Sequence, residues 1–370
     1  MKRVLVVGDF ISGSGLTQVI YNVFKHFPIS GYQIEAVAYG KDPTDFTDKQ
    51  CAKLGWKLYR VVPVTNKPII HWKWWRNFFK VHHYDIVYFN YSSSWNYLPL
   101  VYARKYGHSG KIVCHSHNSY YSHVFSNPIM MKALNVLNNH GKTVFNKNAD
   151  VKIATSIQAG KWMFGDNANN VHVVTNGMDL AKFAFSKEQR FIIRHKLDLS
   201  EDDQLIGFVG VLQERKNPLF ALDVFHEYHK KYPNSKFVML GKGPLKQELH
   251  KKISLYKLDQ CVIQKDFVPD IYYWYSAMDA LLFTSKYEGF GLVALEAQIS
   301  KLPVFASNTN ITKIFATDYI FKMNDLNAKH WSDRLDRTLS IGIYDRRGID
   351  PALREFSIDR QAKTIQRLIN

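Results

Sequence analysis

The sequence predicts an α/β protein of two domains, each organised around a doubly wound parallel sheet. Three observations carry this expectation. Short apolar runs of strand length alternate with amphipathic runs of helix length, the pattern of parallel strands joined by crossover helices. The alternation breaks at Asn176-Gly177-Met178-Asp179 and then starts again. A length of 370 residues with 46 % hydrophobic content supplies enough apolar surface for two cores.

In chain order, strands are expected at 3–7, 33–39, 84–89, 111–115, 151–155 and 171–175. Helices fall between them at 16–27, 96–106, 128–146 and 157–164. After the break, 188–199 reads as a connecting helix. New strands follow at 205–212, 236–240, 261–264, 280–284, 303–306 and 319–321, with helices at 218–231, 244–256, 271–278 and 292–300. The segment 358–369 reads as a terminal amphipathic helix. In such sheets ligands sit at the carboxyl ends of the strands, and two domains in tandem are expected to face each other across a ligand-binding cleft.

Composition narrows the setting. Three scattered cysteines, Cys51, Cys114 and Cys261, suit a reducing compartment and give no disulfide framework. The apolar run after Met1 is short and meets Asp9, so it reads as a first strand and not a signal peptide. No run approaches the ~20 apolar residues of a membrane helix. A cytoplasmic protein is expected, with rest on a membrane surface still open. The formal charge of +17 favours an anionic partner, which could be nucleic acid, a phosphorylated substrate or anionic lipid.

The most informative stretch runs from Lys286 to Ala297. An apolar strand leads into a turn carrying Gly289 and Gly291, and a helix opens at Leu292. Glycine allows close backbone approach, and the first N–H groups of a helix make an anion site. Glu288 lies in the turn and Glu296 about two helical turns on. Carboxylates do not favour a phosphate, so their expected task is to bind neutral hydroxyls of a sugar and a ribose. The bland alternative is a pair of solvated charges. Glu288, seven residues, then Glu296, with Gly289-Phe290-Gly291 after the first acid, resembles the donor-site signature of glycosyltransferase family 4. Those are retaining enzymes of the two-lobed GT-B fold. The resemblance implies that Glu288, with the amides of Gly289, Phe290, Gly291 and Leu292, meets the transferred sugar and the phosphates. It implies that Glu296 binds the ribose. It also implies domains of 1–180 and 181–354, with 355–370 crossing back onto the first.

Three further segments join this resemblance. The loop after the first strand, Gly8-Asp9-Phe10-Ile11-Ser12-Gly13-Ser14-Gly15, fails as a dinucleotide fingerprint, because the third glycine and the ribose-binding acid are both missing. It resembles the family's first-domain glycine loop, which places Gly15, and less directly Gly13, toward donor phosphate and acceptor. His115-Ser116-His117-Asn118 ends a strand; a metal reading lacks a third ligand by spacing. The segment resembles the family's histidine motif, with His115 the favoured sugar contact, His117 its alternate and Asn118 alongside. Arg215-Lys216 follows the first strand of the second domain, and Lys216 matches the family lysine. Val211 stands where many members carry arginine, and Arg215 is the candidate to compensate.

These parts suit the cleavage of a nucleoside diphosphate sugar, in which negative charge grows on the leaving phosphate. Lys216, Arg215 and the amides near Gly291 supply fixed positive groups there. No Asp-x-Asp sequence offers a metal site against the pyrophosphate, so no divalent cation or other cofactor is expected. The expected catalytic set is His115, Lys216 and Glu288. The resemblance implies a retaining hexosyltransferase of exopolysaccharide or capsule synthesis, using a UDP-sugar and a polyprenyl-diphosphate-linked glycan. A soluble or protein acceptor is the alternative, and a non-enzymatic basic binding module is the remaining rival. Residues 69–83 interleave three Trp and two Phe with Lys73, Arg76 and Lys80. They read either as a core helix or as a helix resting on an anionic membrane at the inner face. A nucleic-acid partner is not expected.

Overall fold

A computed structural model describes residues 1–12, 14–28, 30–41, 44–107, 110–121, 127–288, 290–308, 314–342 and 345–370. The chain forms two compact units, Met1–Met178 with Phe356–Asn370, and Asp179–Glu355.

The first unit holds a seven-stranded sheet: β1 (Lys2–Gly8), β2 (Tyr32–Tyr39), β3 (Lys57–Val61), β4 (Ile86–Tyr91), β5 (Lys111–Ser116), β6 (Val151–Ala154) and β7 (Val171–Val173). The order is β3-β2-β1-β4-β5-β6-β7, and every pair is parallel. Strand β1 shows why its sequence is apolar without alternation. Val4 and Val6 join one core with Phe24 and Tyr88, while Leu5 and Val7 join another with Trp75, Phe79 and Phe89. Both faces are covered, as period-two geometry in a parallel sheet requires. Helices Gly15–Phe24 and Ile358–Ile369 cover the first face through Val19, Ile20, Ile365 and Ile369. The terminal helix therefore belongs to this unit. Ser357 caps it by accepting from the Arg360 N–H, and the Met178 N–H donates to the Phe356 carbonyl at 2.7 Å. At Gly177 a Cβ would fall 2.7 Å from the Ile358 Cα, so glycine permits this crossing of backbones.

Strand β3 and the helix Phe46–Lys53 were not expected from the sequence. Strand β3 is an edge strand whose Lys57 and Arg60 break the apolar run, a common treatment of sheet edges.

The second unit holds β8 (Leu205–Val209), β9 (Lys236–Leu240), β10 (Val262–Lys265), β11 (Ala280–Phe283), β12 (Val304–Ser307) and β13 (Ile320–Met323). Their order is β10-β9-β8-β11-β12-β13, again all parallel. Helices Pro218–His229 and Ala328–Ser340 pack Phe220, Phe225, Trp331 and Leu335 on one face. Helices Ile271–Ala277 and Leu292–Ile299 pack Tyr275, Ala294 and Ala297 on the other. The helix Ala328–Ser340 was missed because two large apolar residues, Trp331 and Leu335, bury within a highly charged segment. In each sheet the strand order reverses once, between β1 and β4 and between β8 and β11. The crevices at those two points are where ligands bind in folds of this kind.

Candidate active site

At the switch point of the second unit, the loops after β8 and β11 are laced together. The Lys286 N–H donates to the Arg215 carbonyl at 2.7 Å, and Thr284 Oγ1 donates to the carbonyls of Lys216 and Asn217 at 2.9 and 3.0 Å. Asn217 takes a left-handed backbone, φ 53°, which turns the chain into the helix that starts at Pro218. The loop after β9 presses against the loop after β8. A Cβ on Gly241, whose φ is +146°, would fall 2.0 Å from the Gly210 carbonyl oxygen. Only a bare backbone fits there.

This lacing brings Arg215, Lys216 and Glu288 into one cluster. The Glu288 carboxylate accepts from Lys216 Nζ, from an Arg215 guanidinium nitrogen at 2.8 Å and from Ser285 Oγ at 2.6 Å. Its side chain is 8 % exposed. Burial alone would push the carboxyl up, but Lys216 and then Arg215 outweigh it and hold the group below the usual carboxylate range. Farther along this loop, Phe290 is buried and Gly291 sits at φ +85°. Gly291 is the N-cap of Leu292–Ile299 and offers no side-chain oxygen to its first turn. The positive end of that helix is thus presented at the same loop.

Glu296 lies on this helix and accepts from the Tyr275 hydroxyl at 2.6 Å. Burial pushes its carboxyl up to about 7, against the pull of Tyr275, Lys216 and Lys182. Tyr275, Ser285 and Lys182 were not expected in this set. Tyr275 could have been found from its place in 271–278, one element before the motif strand; Ser285 and Lys182 carry no signal of their own.

The switch point of the first unit is built differently. The loop after β1 is pinned by Thr17 Oγ1, which accepts from the Ile11 N–H at 2.8 Å, and by Thr47 Oγ1, which donates to the Phe10 carbonyl at 2.6 Å. Gly15 opens the helix Gly15–Phe24, and Ser14 before it gives no side-chain cap. Gly13 and Gly289 lie outside the described residues.

His115 is the penultimate residue of β5, and His117 follows directly after the strand. Their rings lie 4.0 Å apart between centroids, on the same side, and both are buried. Tyr88 is bonded to His115 Nδ1 at 2.9 Å. Asn90 Nδ2 donates to the Val7 carbonyl at 3.2 Å, which orients its amide oxygen toward His117 Nε2 at 3.1 Å. That oxygen can only accept, so His117 carries its proton on Nε2. Burial lowers the His115 imidazole to about 3, and burial together with His115 also holds His117 well below the usual range. Both rings are neutral at ordinary pH. Asn118 is partly exposed beside them.

The helix Pro68–Val81 spends most of its rings on the core: Trp75, Phe78 and Phe79 are buried, while Trp72 and Trp74 are partly exposed. Ile69, Ile70, Lys73, Arg76 and Lys80 face outward.

Comparison with known proteins adds to this geometry. Residues 13–182 match the family model described as Glycosyltransferase Family 4, and 189–351 match that of Glycosyl transferases group 1. The chain is 25 % identical over 371 aligned residues to EpsF of Bacillus subtilis (strain 168), a protein assigned as a glycosyltransferase, covering 97 % of this chain and 94 % of that one. It is 28 % identical over 168 residues to the Escherichia coli UDP-Gal:alpha-D-GlcNAc-diphosphoundecaprenol alpha-1,3-galactosyltransferase, covering 43 % of each. Among solved structures, Anabaena HepE in complex with UDP and glucose superposes with a TM-score of 0.78 at 17 % identity, over 99 % of both chains.

Proposed function

From a chain that belongs to the family 4, group 1 glycosyltransferases and shares their GT-B fold, we infer a retaining enzyme that moves a hexose from a UDP-sugar to a polyprenyl-diphosphate-linked glycan. The setting is exopolysaccharide or capsule synthesis at a membrane surface.

One observation carries the donor half of this reading: Lys216 and Arg215 converge on Glu288 beside the open N-terminus of Leu292–Ile299. Two cations and a helix dipole face the place where a pyrophosphate would take up charge, and such fixed groups stabilise a leaving phosphate. Glu288 would then turn to the sugar hydroxyls and Glu296 to the ribose. With the phosphate charge met by side chains and amides, the reading calls for no divalent cation. His115 is offered as the sugar contact from the first unit, with His117 as the alternate; Gly15 and Asn118 line the same end of that sheet. UDP is favoured by the HepE complex, and the lipid-linked acceptor by the Escherichia coli relative.

The test is a panel of nucleotide sugars in thermal shift, followed by transfer to a synthetic polyprenyl-diphosphate sugar with and without EDTA. A UDP-sugar should stabilise the protein and be consumed in both conditions, and Glu288→Ala should abolish consumption. Unchanged turnover in that variant would remove the mechanism. Transfer to soluble glycans only would remove the lipid-linked acceptor.

A further inference from the structure

The helix Pro128–Asn148 buries Leu134, Asn138, Gly141 and Phe145, a narrow stripe at i, i+4, i+7 and i+11. Beside that stripe, and outside the core, stand Ile129 at 79 % exposure, Val136 at 64 %, Met130 at 47 % and Leu137 at 44 %. At about 100° per residue these four fall on one arc of roughly 120°, while Lys132, Asn135, Asn139 and Lys142 fall on the opposite side. The helix is therefore amphipathic on the surface it presents to solvent, not only toward its core. The arc is apolar over 129–137 and gives way to the exposed His140 and Lys147 farther along the helix; an exposed apolar patch of this kind marks an interaction site.

Charge says what the partner is. Helices Pro68–Val81, Leu98–Tyr106 and Pro128–Asn148 pack side by side on one face of the first sheet. From residue 49 to residue 149 the sequence has a single acid, Asp85. Lys73, Arg76, Lys80 and Lys105 are exposed on this layer, and among the described residues none of them makes an ion pair. Arg76, Lys80 and Lys105 instead gather over the Tyr106 ring at 5.8, 5.8 and 5.4 Å. The first unit carries 23 Lys and Arg against 9 Asp and Glu, whereas the second carries 26 against 23. Excess cations in the same helix layer as an apolar arc suit an anionic sheet of lipid; a second copy of the same face would meet its own charge.

We propose that the outer face of this helix layer docks on an anionic bilayer. Ile129, Met130, Val136 and Leu137 enter the acyl boundary, and the cations of the neighbouring helices meet lipid phosphates. This rests on the lipid-linked acceptor proposed above and supplies its surface. It also moves the apolar anchor from 69–83, whose Trp75, Phe78 and Phe79 are already used in the core, to 129–137. The new anchor is well placed. The helix follows β5, so its N-terminal half begins at the carboxyl edge of the sheet, where His115 and His117 lie. No helix among the described residues is long and apolar enough to cross a membrane.

The experiment is sedimentation of the full-length protein with vesicles of phosphatidylglycerol and phosphatidylcholine, and with phosphatidylcholine alone. The wild type should bind the mixed vesicles at least about tenfold more tightly than the neutral ones, and less tightly in high salt. Val136→Asp with Leu137→Asp should lower that affinity by about tenfold or more, with an unchanged melting temperature because both side chains are exposed. Lys73→Glu with Lys80→Glu should remove most of the salt dependence. Absence of binding to anionic vesicles overturns the proposal, as does binding that survives both sets of substitutions. So does self-association, seen by ultracentrifugation without lipid, that the Asp substitutions abolish. Nucleotide-sugar hydrolysis by the same samples separates the two readings. Hydrolysis without vesicle binding sinks the docking face alone, and vesicle binding without hydrolysis sinks the transferase mechanism alone.

Discussion

Replacing Lys216 by alanine tests the ion cluster at the ends of β8 and β11. The Glu288 side chain is 8 % exposed, Lys216 is 11 % and Arg215 30 % exposed. Removing one partner of a buried pair costs about 3–5 kcal/mol when the other is left alone. Here Glu288 keeps Arg215 at 2.8 Å and Ser285 at 2.6 Å, and Arg215 is partly screened by water. A loss of about 2 kcal/mol is therefore expected for Lys216→Ala, or roughly 4–8 °C in Tm for a unit of this size. Adding Glu288→Gln to Lys216→Ala removes the charge that was orphaned, so most of the Tm should return. Activity should not return: losing a cation that stabilises the leaving phosphate costs about 10²–10³ in kcat. Scanning fluorimetry reads the first quantity, and release of the nucleoside diphosphate reads the second. If the double variant melts no higher than Lys216→Ala, compensation of Glu288 is not what Lys216 does in the fold. If Lys216→Ala turns over like wild type, its role at the phosphate is wrong.

Three other outcomes follow from the same geometry. The Glu296 carboxyl titrates at about 7 in the fold against an ordinary value of 4.5, so the folded state holds an extra proton between them and stability falls as pH rises through that window. Glu296→Gln should flatten that decline, measured as Tm between about pH 5 and about pH 8, and should weaken UDP binding by about tenfold or more. The His115 imidazole titrates at about 3 against 6.5, so the unfolded chain takes up the proton first and stability falls as pH drops below about 6.5. His115→Asn should shrink the difference in urea midpoint between about pH 7 and about pH 5; an undiminished difference would mean the ring is not buried neutral. Gly291→Ala should cost about 1–2 kcal/mol, because alanine is strained at φ +85° and its Cβ would lie 3.2 Å from Ile314 Cγ2. Turnover should drop further than that stability loss explains, because the helix N-terminus shifts; a fully active variant would show that the amides there do not matter.

Much of this was legible in the sequence where one residue type does one job. Buried parallel strands such as 280–284 announce themselves because both of their faces must be apolar. Gly291 announced a turn, and its positive φ is the reason. The pairing of His115 and His117 on one side followed from strand geometry alone. What could not be read was the partner of each polar group. Nothing in the spacing of Arg215, Lys216 and Glu288 shows that the three share one ion cluster, since that depends on two loops more than seventy residues apart being stitched by Thr284 and Lys286. Nor does composition distinguish Trp75, Phe78 and Phe79, which fill the core, from the exposed apolar arc of 129–137. Both segments are apolar and basic, and only burial separates them.

The two switch points differ in a way that fits the two charges a glycosyl transfer creates. In the second unit, cations are held ready by an acid. Lys216 and Arg215 have already lost part of their water to Glu288, so a phosphate arriving there would find them oriented, and the reaction would not have to reorganise solvent around them. In the first unit the buried groups are uncharged. The transferred sugar gains positive character as its bond to the phosphate breaks, and an imidazolium beside it would oppose that change, whereas a neutral imidazole does not. On the proposed reading, which sets His115 against the sugar, the desolvation that keeps His115 and His117 unprotonated would serve the chemistry as well as follow from burial. A charged substitute such as His115→Lys should therefore be worse for turnover than the neutral His115→Asn, even if both bind the donor equally. The reverse order would separate the ring's neutrality from its function.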